Sequence, residues 1–162
     1  MEYFKPLHKQ MLETVLLRSV SALLDTEIKG DPSFVPVSDI ILPQAGRVSR
    51  LKLLPYPGGF SQFLCNFSMP GRTLSSLTEA ILSGDHLEIP DGGIDIFGDR
   101  PLLCKFKISL RNHQSELLKA LCNLYIPFSQ LTELSLGVLS SPYIILHLKG
   151  HSQSCTVLNH IW

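Results

Sequence analysis

One short pattern of residue types returns five times along this chain of 162 residues. It reads apolar-x-x-apolar-x-apolar, as VSRLKL (Val48–Leu53), LTEAIL (Leu77–Leu82), LCKFKI (Leu103–Ile108), LTELSL (Leu131–Leu136) and the imperfect CTVLNH (Cys155–His160). Successive starts lie 29, 26, 28 and 24 residues apart. A motif repeated at that interval constrains the fold strongly. Each copy is one structural unit that cannot bury its apolar side alone, so neighbours must stack to build a shared interior. One domain covering residues 1–162 is expected.

Within each copy the fourth and sixth positions alternate with polar residues, as a half-buried strand requires. Val48, Leu51 and Leu53 are expected to face inward, with Ser49, Arg50 and Lys52 outward. Leu103, Phe106 and Ile108 repeat the arrangement, with Lys105 and Lys107 out, and so do Leu131, Leu134 and Leu136, with Thr132, Glu133 and Ser135 out. LTEAIL is a weaker copy, with Ala80 at the fourth position and Ile81 at an outward one. Repeats of this type and period are the signature of leucine-rich repeats. The expected fold class is therefore α/β: a leucine-rich-repeat-like solenoid, with parallel β-strands on its concave side and short helices and loops on its convex side.

Six strands are expected, near residues 26–29, 48–53, 77–82, 103–108, 131–136 and 155–160. Between them the spacing turns helical. SELLKALCNL (Ser115–Leu124) puts Leu117, Leu118, Leu121 and Leu124 on one stripe, with Ser115 in the N-cap region. SPYIILHLKG (Ser141–Gly150) offers Ser141 as N-cap, Pro142 in the first turn and Gly150 as a stop, which predicts a helix. Short helices are also expected over Gly59–Phe67 and over Val37–Gly46, the latter closed by Pro43 and Gly46. Residues 1–24 are expected to form an N-terminal helical cap carrying Met11, Leu12, Val15 and Leu16.

Lys and Arg number 14, as do Asp and Glu, so no basic excess points to nucleic acid. Hydrophobic residues at 44% against charged residues at 17% exclude disorder. The longest apolar runs, such as Tyr143–Leu148, fall far short of the roughly 20 residues that span a bilayer. MEYFKPLHKQ lacks the apolar core of a signal peptide. The expectation is an intracellular protein, cytoplasmic or nuclear, with no membrane and no nucleic-acid partner. Cys65, Cys104, Cys122 and Cys155 form no CxxC pair, and they are expected to be reduced and mostly buried.

Two groups of side chains invite a metal reading. Asp85, Glu88, Asp91, Asp95 and Asp99 share a stretch with Gly92, Gly93 and Gly98, but Ile94 and Ile96 interrupt it and the spacing departs from a calcium loop. His147 and His151 are four apart, as helical zinc ligands are, but Gly150 lies between them and a surface pair is expected. His160 takes a position where the pattern asks for an apolar residue. No nucleophile elbow, P-loop or dinucleotide fingerprint is present. The expectation is no enzyme, no cofactor and no metal.

Three stretches, IPFSQLTELSLG (Ile126–Gly137), LTEAILSGD (Leu77–Asp85) and DRPLLCKFKIS (Asp99–Ser109), resemble the irregular leucine-rich repeats of F-box proteins in mushroom-forming fungi. There, phrases of the form P-x-S-Q-L-T-x-L-x-L and A-P-x-L-R-x-x-x-I recur. The resemblance covers about residues 20–162, judged on the repeat pattern. It implies the substrate-recruiting part of a ubiquitin-ligase adaptor. Met1–Leu24 shows no F-box, so the ligase core is expected as a partner only where an F-box lies outside this chain. The Asn or Cys that regular repeats carry three residues past the sixth position is replaced by Tyr56, Asp85, Arg111 and Leu139. The turning backbone must find other hydrogen-bond partners.

Proteins of this kind bind on an extended concave surface. The outward residues Arg50, Lys52, Glu79, Lys105, Lys107 and Glu133 are therefore the expected partner-binding face. Their signs alternate along the array, which suits electrostatic selection of a protein partner. Two other readings stay open: a decayed repeat fragment without activity of its own, and a metal-binding or hydrolytic enzyme using the acidic stretch or the histidines.

Overall fold

The computed structural model describes residues 6–30, 40–55, 64–65, 73–84, 93, 95–97, 102–111, 114–138, 145–151 and 154–159. Period-two alternation builds its main feature, a sheet of seven strands. They are β1 (Leu24–Gly30), β2 (Val48–Pro55), β3 (Glu79–Gly84), β4 (Lys105–Leu110), β5 (Glu133–Val138), β6 (Ile145–His151) and β7 (Ser154–Asn159). Strand order in the sheet equals order in the chain. The first five strands are parallel, so each connection returns the chain to the next strand's start. The fold is α/β with few helices: α1 (Pro6–Arg18), α2 (Gln114–Asn123) and two 3-10 helices, Leu42–Arg47 and Phe128–Gln130.

The repeat positions align across the parallel strands. Thr26, Leu51, Ala80, Phe106 and Leu134 form one inward row, and Ile28, Leu53, Leu82, Ile108 and Leu136 the next. From Leu51 to Phe106 and from Leu53 to Ile108 these side chains are buried almost completely. The first motif positions Val48, Leu77 and Leu103 are fully buried too. In three copies the strand starts two residues after the motif does, because Leu77, Leu103 and Leu131 pack from the turn leading into the strand. The layer on the far side comes from Ile41, Leu42, Ala45, Leu64, Leu74, Ile96, Phe97, Leu117 and Ala120 of α2, and Leu124 just past its end. Phe97 meets Phe106 edge to face, ring centroids 5.4 Å apart at 75°.

Several expectations need correction. Of the helix expected over Ser141–Gly150, residues 145–150 belong instead to β6, antiparallel to β5, and residues 141–144 lie outside the described residues. Leu146, His147, Leu148 and Lys149 alternate apolar with polar, and that period overrides the punctuation of Ser141, Pro142 and Gly150. CTVLNH does form a strand, β7, but it pairs antiparallel with β6, so a hairpin stands where a sixth parallel repeat was expected. Pro43 does not close a helix; it enters the 3-10 helix that continues to Arg47. Helix α2 begins at Gln114, which puts Ser115 inside its first turn, and of the expected stripe Leu117 and Leu124 are buried and Leu121 partly so. Leu64 and Cys65 are helical, while the rest of the expected helix at 59–67 lies outside the described residues. A helix does form near the N-terminus, yet Met11 and Val15 are 60% exposed, so that half of its stripe covers nothing. No helix among the described residues is long and apolar enough to cross a membrane.

Candidate protein-binding face

The alternation that buries one side of each strand places the charged residues on the other. Cross-strand register then sorts them into rows. Asp25, Arg50, Glu79, Lys105 and Glu133 occupy one row, one residue per strand, and Lys149 of β6 is next in register. Sign alternates at every step. Glu27, Lys52, Ile81, Lys107 and Ser135 form the second row. All six expected face residues thus lie on one side of the sheet, Arg50, Glu79, Lys105 and Glu133 in the first row and Lys52 and Lys107 in the second.

Neighbours in a row stand about 5 Å apart, close enough for long charged side chains to pair sideways. They do. Arg50 Nε lies 3.0 Å from Glu79 Oε2, Arg50 Nη2 donates to Glu79 Oε1 at 3.2 Å, and Arg50 Nη1 is 3.6 Å from Asp25 Oδ2. Lys52 Nζ lies 2.9 Å from Glu27 Oε1, which Lys29 also meets at 3.0 Å. Lys105 reaches Glu133 at 4.0 Å. Hydrogen bonds from Lys52 and Lys29 hold the Glu27 carboxyl below its ordinary range. The charge of Glu79, then that of Asp25, makes the Arg50 guanidinium still harder to deprotonate. Among the described residues Lys107 makes no ion pair, and it is exposed.

The face is not uniformly open. Ser109 and Ser135, outward by their register, are 7% exposed, so access concentrates on β1 to β3 and the starts of β4 and β5. The acidic strand β1 was missing from the expected face. Its signal was present in Asp25-Thr26-Glu27-Ile28-Lys29, which alternates charge with a smaller or apolar residue at the strand period.

A second feature escaped the sequence reading. Ser49, Thr78, Cys104 and Thr132 stand at the second motif position, where Ser49 and Thr132 were expected to point outward. Thr78 and Thr132 are exposed, and each of the four also donates from its side chain to a carbonyl of the preceding strand's entry: Ser49 Oγ to Leu24 O at 3.2 Å, Thr78 Oγ1 to Ser49 O at 2.9 Å, Cys104 Sγ to Thr78 O at 3.4 Å and Thr132 Oγ1 to Cys104 O at 3.1 Å. The amides of Thr78, Cys104 and Thr132 donate to the same carbonyls at 2.8, 3.0 and 2.8 Å. This chain of bonds supplies at the strand entry what an Asn ladder would supply at the exit. The signal was a small donor at one fixed position in four copies.

The remaining candidates lie largely outside the described residues. Of the acidic stretch, Asp95 is exposed and the other four carboxylates lie outside the described residues. On strand β6 the α-carbons of His147 and His151 stand about 13 Å apart, against about 6 Å along a helix, which removes the helical ligand geometry. His160 lies outside the described residues. No group of three His, Cys, Asp or Glu among the described residues could hold a metal ion. Cys65, Cys104 and Cys122 are free thiols, none fully buried and Cys122 exposed, which corrects the expectation of burial. No protein family, curated protein or solved structure that was compared with the chain matches it.

Proposed function

We propose that this chain is a leucine-rich-repeat-type solenoid that acts by holding a partner protein on the charged side of its sheet, without catalysis or a cofactor. One observation carries the reading: the register gathers Arg50, Glu79, Lys105 and Glu133 into a single row across four parallel strands, with Lys52 and Lys107 beside it. Because the row charges pair with one another, a partner gains little by matching them singly. Discrimination falls instead to Lys107, which makes no ion pair among the described residues, and to Ile81 next to it in register. The favoured partner offers a carboxylate to Lys107 and an apolar contact to Ile81. By the resemblance to fungal F-box proteins, that partner is a substrate brought to a ubiquitin ligase inside the cell.

The test is charge reversal. In a cell expressing the full-length gene product, the Lys105→Glu/Lys107→Glu double variant is expected to lose the protein retained by the native chain while keeping its melting temperature. Retention of the same protein by both chains would sink the reading. The ligase part has its own readout: the retained protein should persist longer after synthesis is blocked when this chain is removed.

A further inference from the structure

Acidic and basic strands alternate across the parallel sheet. Strand β1 presents Asp25 and Glu27, with Lys29 at its end, β2 Arg50 and Lys52, β3 Glu79, β4 Lys105 and Lys107, and β5 Glu133. On their lower-numbered side, the acidic strands β3 and β5 each have a basic neighbour. Strand β1 has none: it is the edge, and no strand among the described residues pairs with its free side.

Two further observations mark this edge as a place prepared for a strand. The Asp25 side chain is 66% exposed and its base is shared unequally, since Arg50 stands 3.6 Å from Asp25 but 3.0 Å from Glu79. The interior layer is also left open. Leu24 and Ile28 are only partly buried, whereas Val48 and Leu53, their partners in register, are 0% and 2% exposed. Leu23 beside them is 63% exposed.

We infer that the free edge of β1 takes an extended segment of a partner protein as an added strand, and that the segment alternates basic with apolar residues. Main-chain N–H and C=O groups of β1 supply the backbone bonds. A Lys or Arg stands beside Asp25 and continues the row of alternating charge. Apolar residues beside Thr26 and Ile28 continue the two inward rows. Beside Glu27, already held by Lys29 and Lys52, a base or a neutral residue fits and an acid is excluded. Strands β2 (Arg50-Leu51-Lys52-Leu53) and β4 (Lys105-Phe106-Lys107-Ile108) already play this part for β3 and β5. Head-to-tail addition of a second copy is a poor match, because β7 at the opposite edge, SCTVLN, carries no base. The inference is independent of the broad face, since Lys105 and Lys107 lie three strands away from this edge.

The experiment uses the whole chain and two labelled peptides, VSRLKLL, which copies residues 48–54, and its charge-reversed form VSELELL. The native chain should bind the basic peptide roughly three- to tenfold more tightly than the reversed one, and Asp25→Lys should invert that order. Asp25→Asn should fall between them. Hydrogen exchange should show the β1 amides that do not bond to β2 slowing when the basic peptide binds. Equal binding of both peptides, no binding of either, or slow exchange of those amides without peptide would overturn the proposal. So would a dimer of the free chain that Asp25→Lys dissociates, which would assign the edge to a second copy.

Discussion

Ala80 occupies a repeat position that asks for a large apolar side chain, and it is fully buried there. Its neighbour in the row is Phe106, the bulkiest residue of that row, which also packs against Phe97. A small residue beside a large one keeps the layer evenly filled. Restoring the repeat consensus with Ala80→Leu is therefore expected to destabilise the protein, by about 1–3 kcal/mol, as a lower denaturant midpoint at unchanged slope. Arg47 carries a different load. Its guanidinium donates to the carbonyls of Leu16, Ser19 and Ala22, to Ser19 Oγ at 3.0 Å and to Gln44 Oε1 at 2.7 Å. The carbonyls among these acceptors lie at and just past the C-terminal end of α1, where a cation is favoured. Arg47→Ala should cost about 2 kcal/mol and open the segment between Pro6 and Leu23 to limited proteolysis, while the sheet's circular dichroism persists. Gly93 has φ +72°, and a Cβ there would lie 2.9 Å from Asn123 O and 3.0 Å from the Tyr125 ring. Gly93→Ala should lower stability by at least about 1 kcal/mol, read from the same denaturant curves.

Among elements, the parallel strands were legible and the hairpin was not. Leu51, Phe106 and Leu134 announced their strands because one apolar residue at a fixed place in a repeating unit carries information that a single segment does not. Strand β6 has no sister copy, so local punctuation at Ser141, Pro142 and Gly150 competed with a period-two pattern of only four residues. The outward side was legible in its residues but not in its pairing. Arg50 and Glu79 are 29 residues apart, and only the register shows that they neutralise each other. The pairing of Glu27 with Lys52 and Lys29 in the second row has a pH signature. Glu27 is held ionised below the ordinary glutamate range, so the folded state binds its proton less readily than the unfolded chain does. Its contribution is in place above the ordinary glutamate pKa and disappears as pH falls through the lowered value. The difference in melting temperature between the native chain and Glu27→Gln should accordingly be present near neutral pH and shrink as the solution is acidified below the ordinary glutamate range. A difference that persisted at low pH would show that Glu27 acts through packing.

At the scale of the whole molecule, five strands follow one rule and the last two another. The hairpin turns the chain back on itself where a further parallel step would otherwise come, and the sheet ends in β7. Between the copies run connections of unequal length, yet the rows of Leu53, Leu82, Ile108 and Leu136 stay in line. The hydroxyl and thiol donors at Ser49, Thr78, Cys104 and Thr132 account for this. Each grips the copy before it at the strand entry, so the register that the strand ladders carry is tied at the same point in every copy. A coding sequence could therefore gain or lose residues in the parts of those connections that supply no core side chain, whereas the parts carrying Leu64, Leu74, Ile96, Phe97 and Leu117 are fixed by their burial. The part of the molecule most open to change in length is then also the part that leaves its binding side untouched.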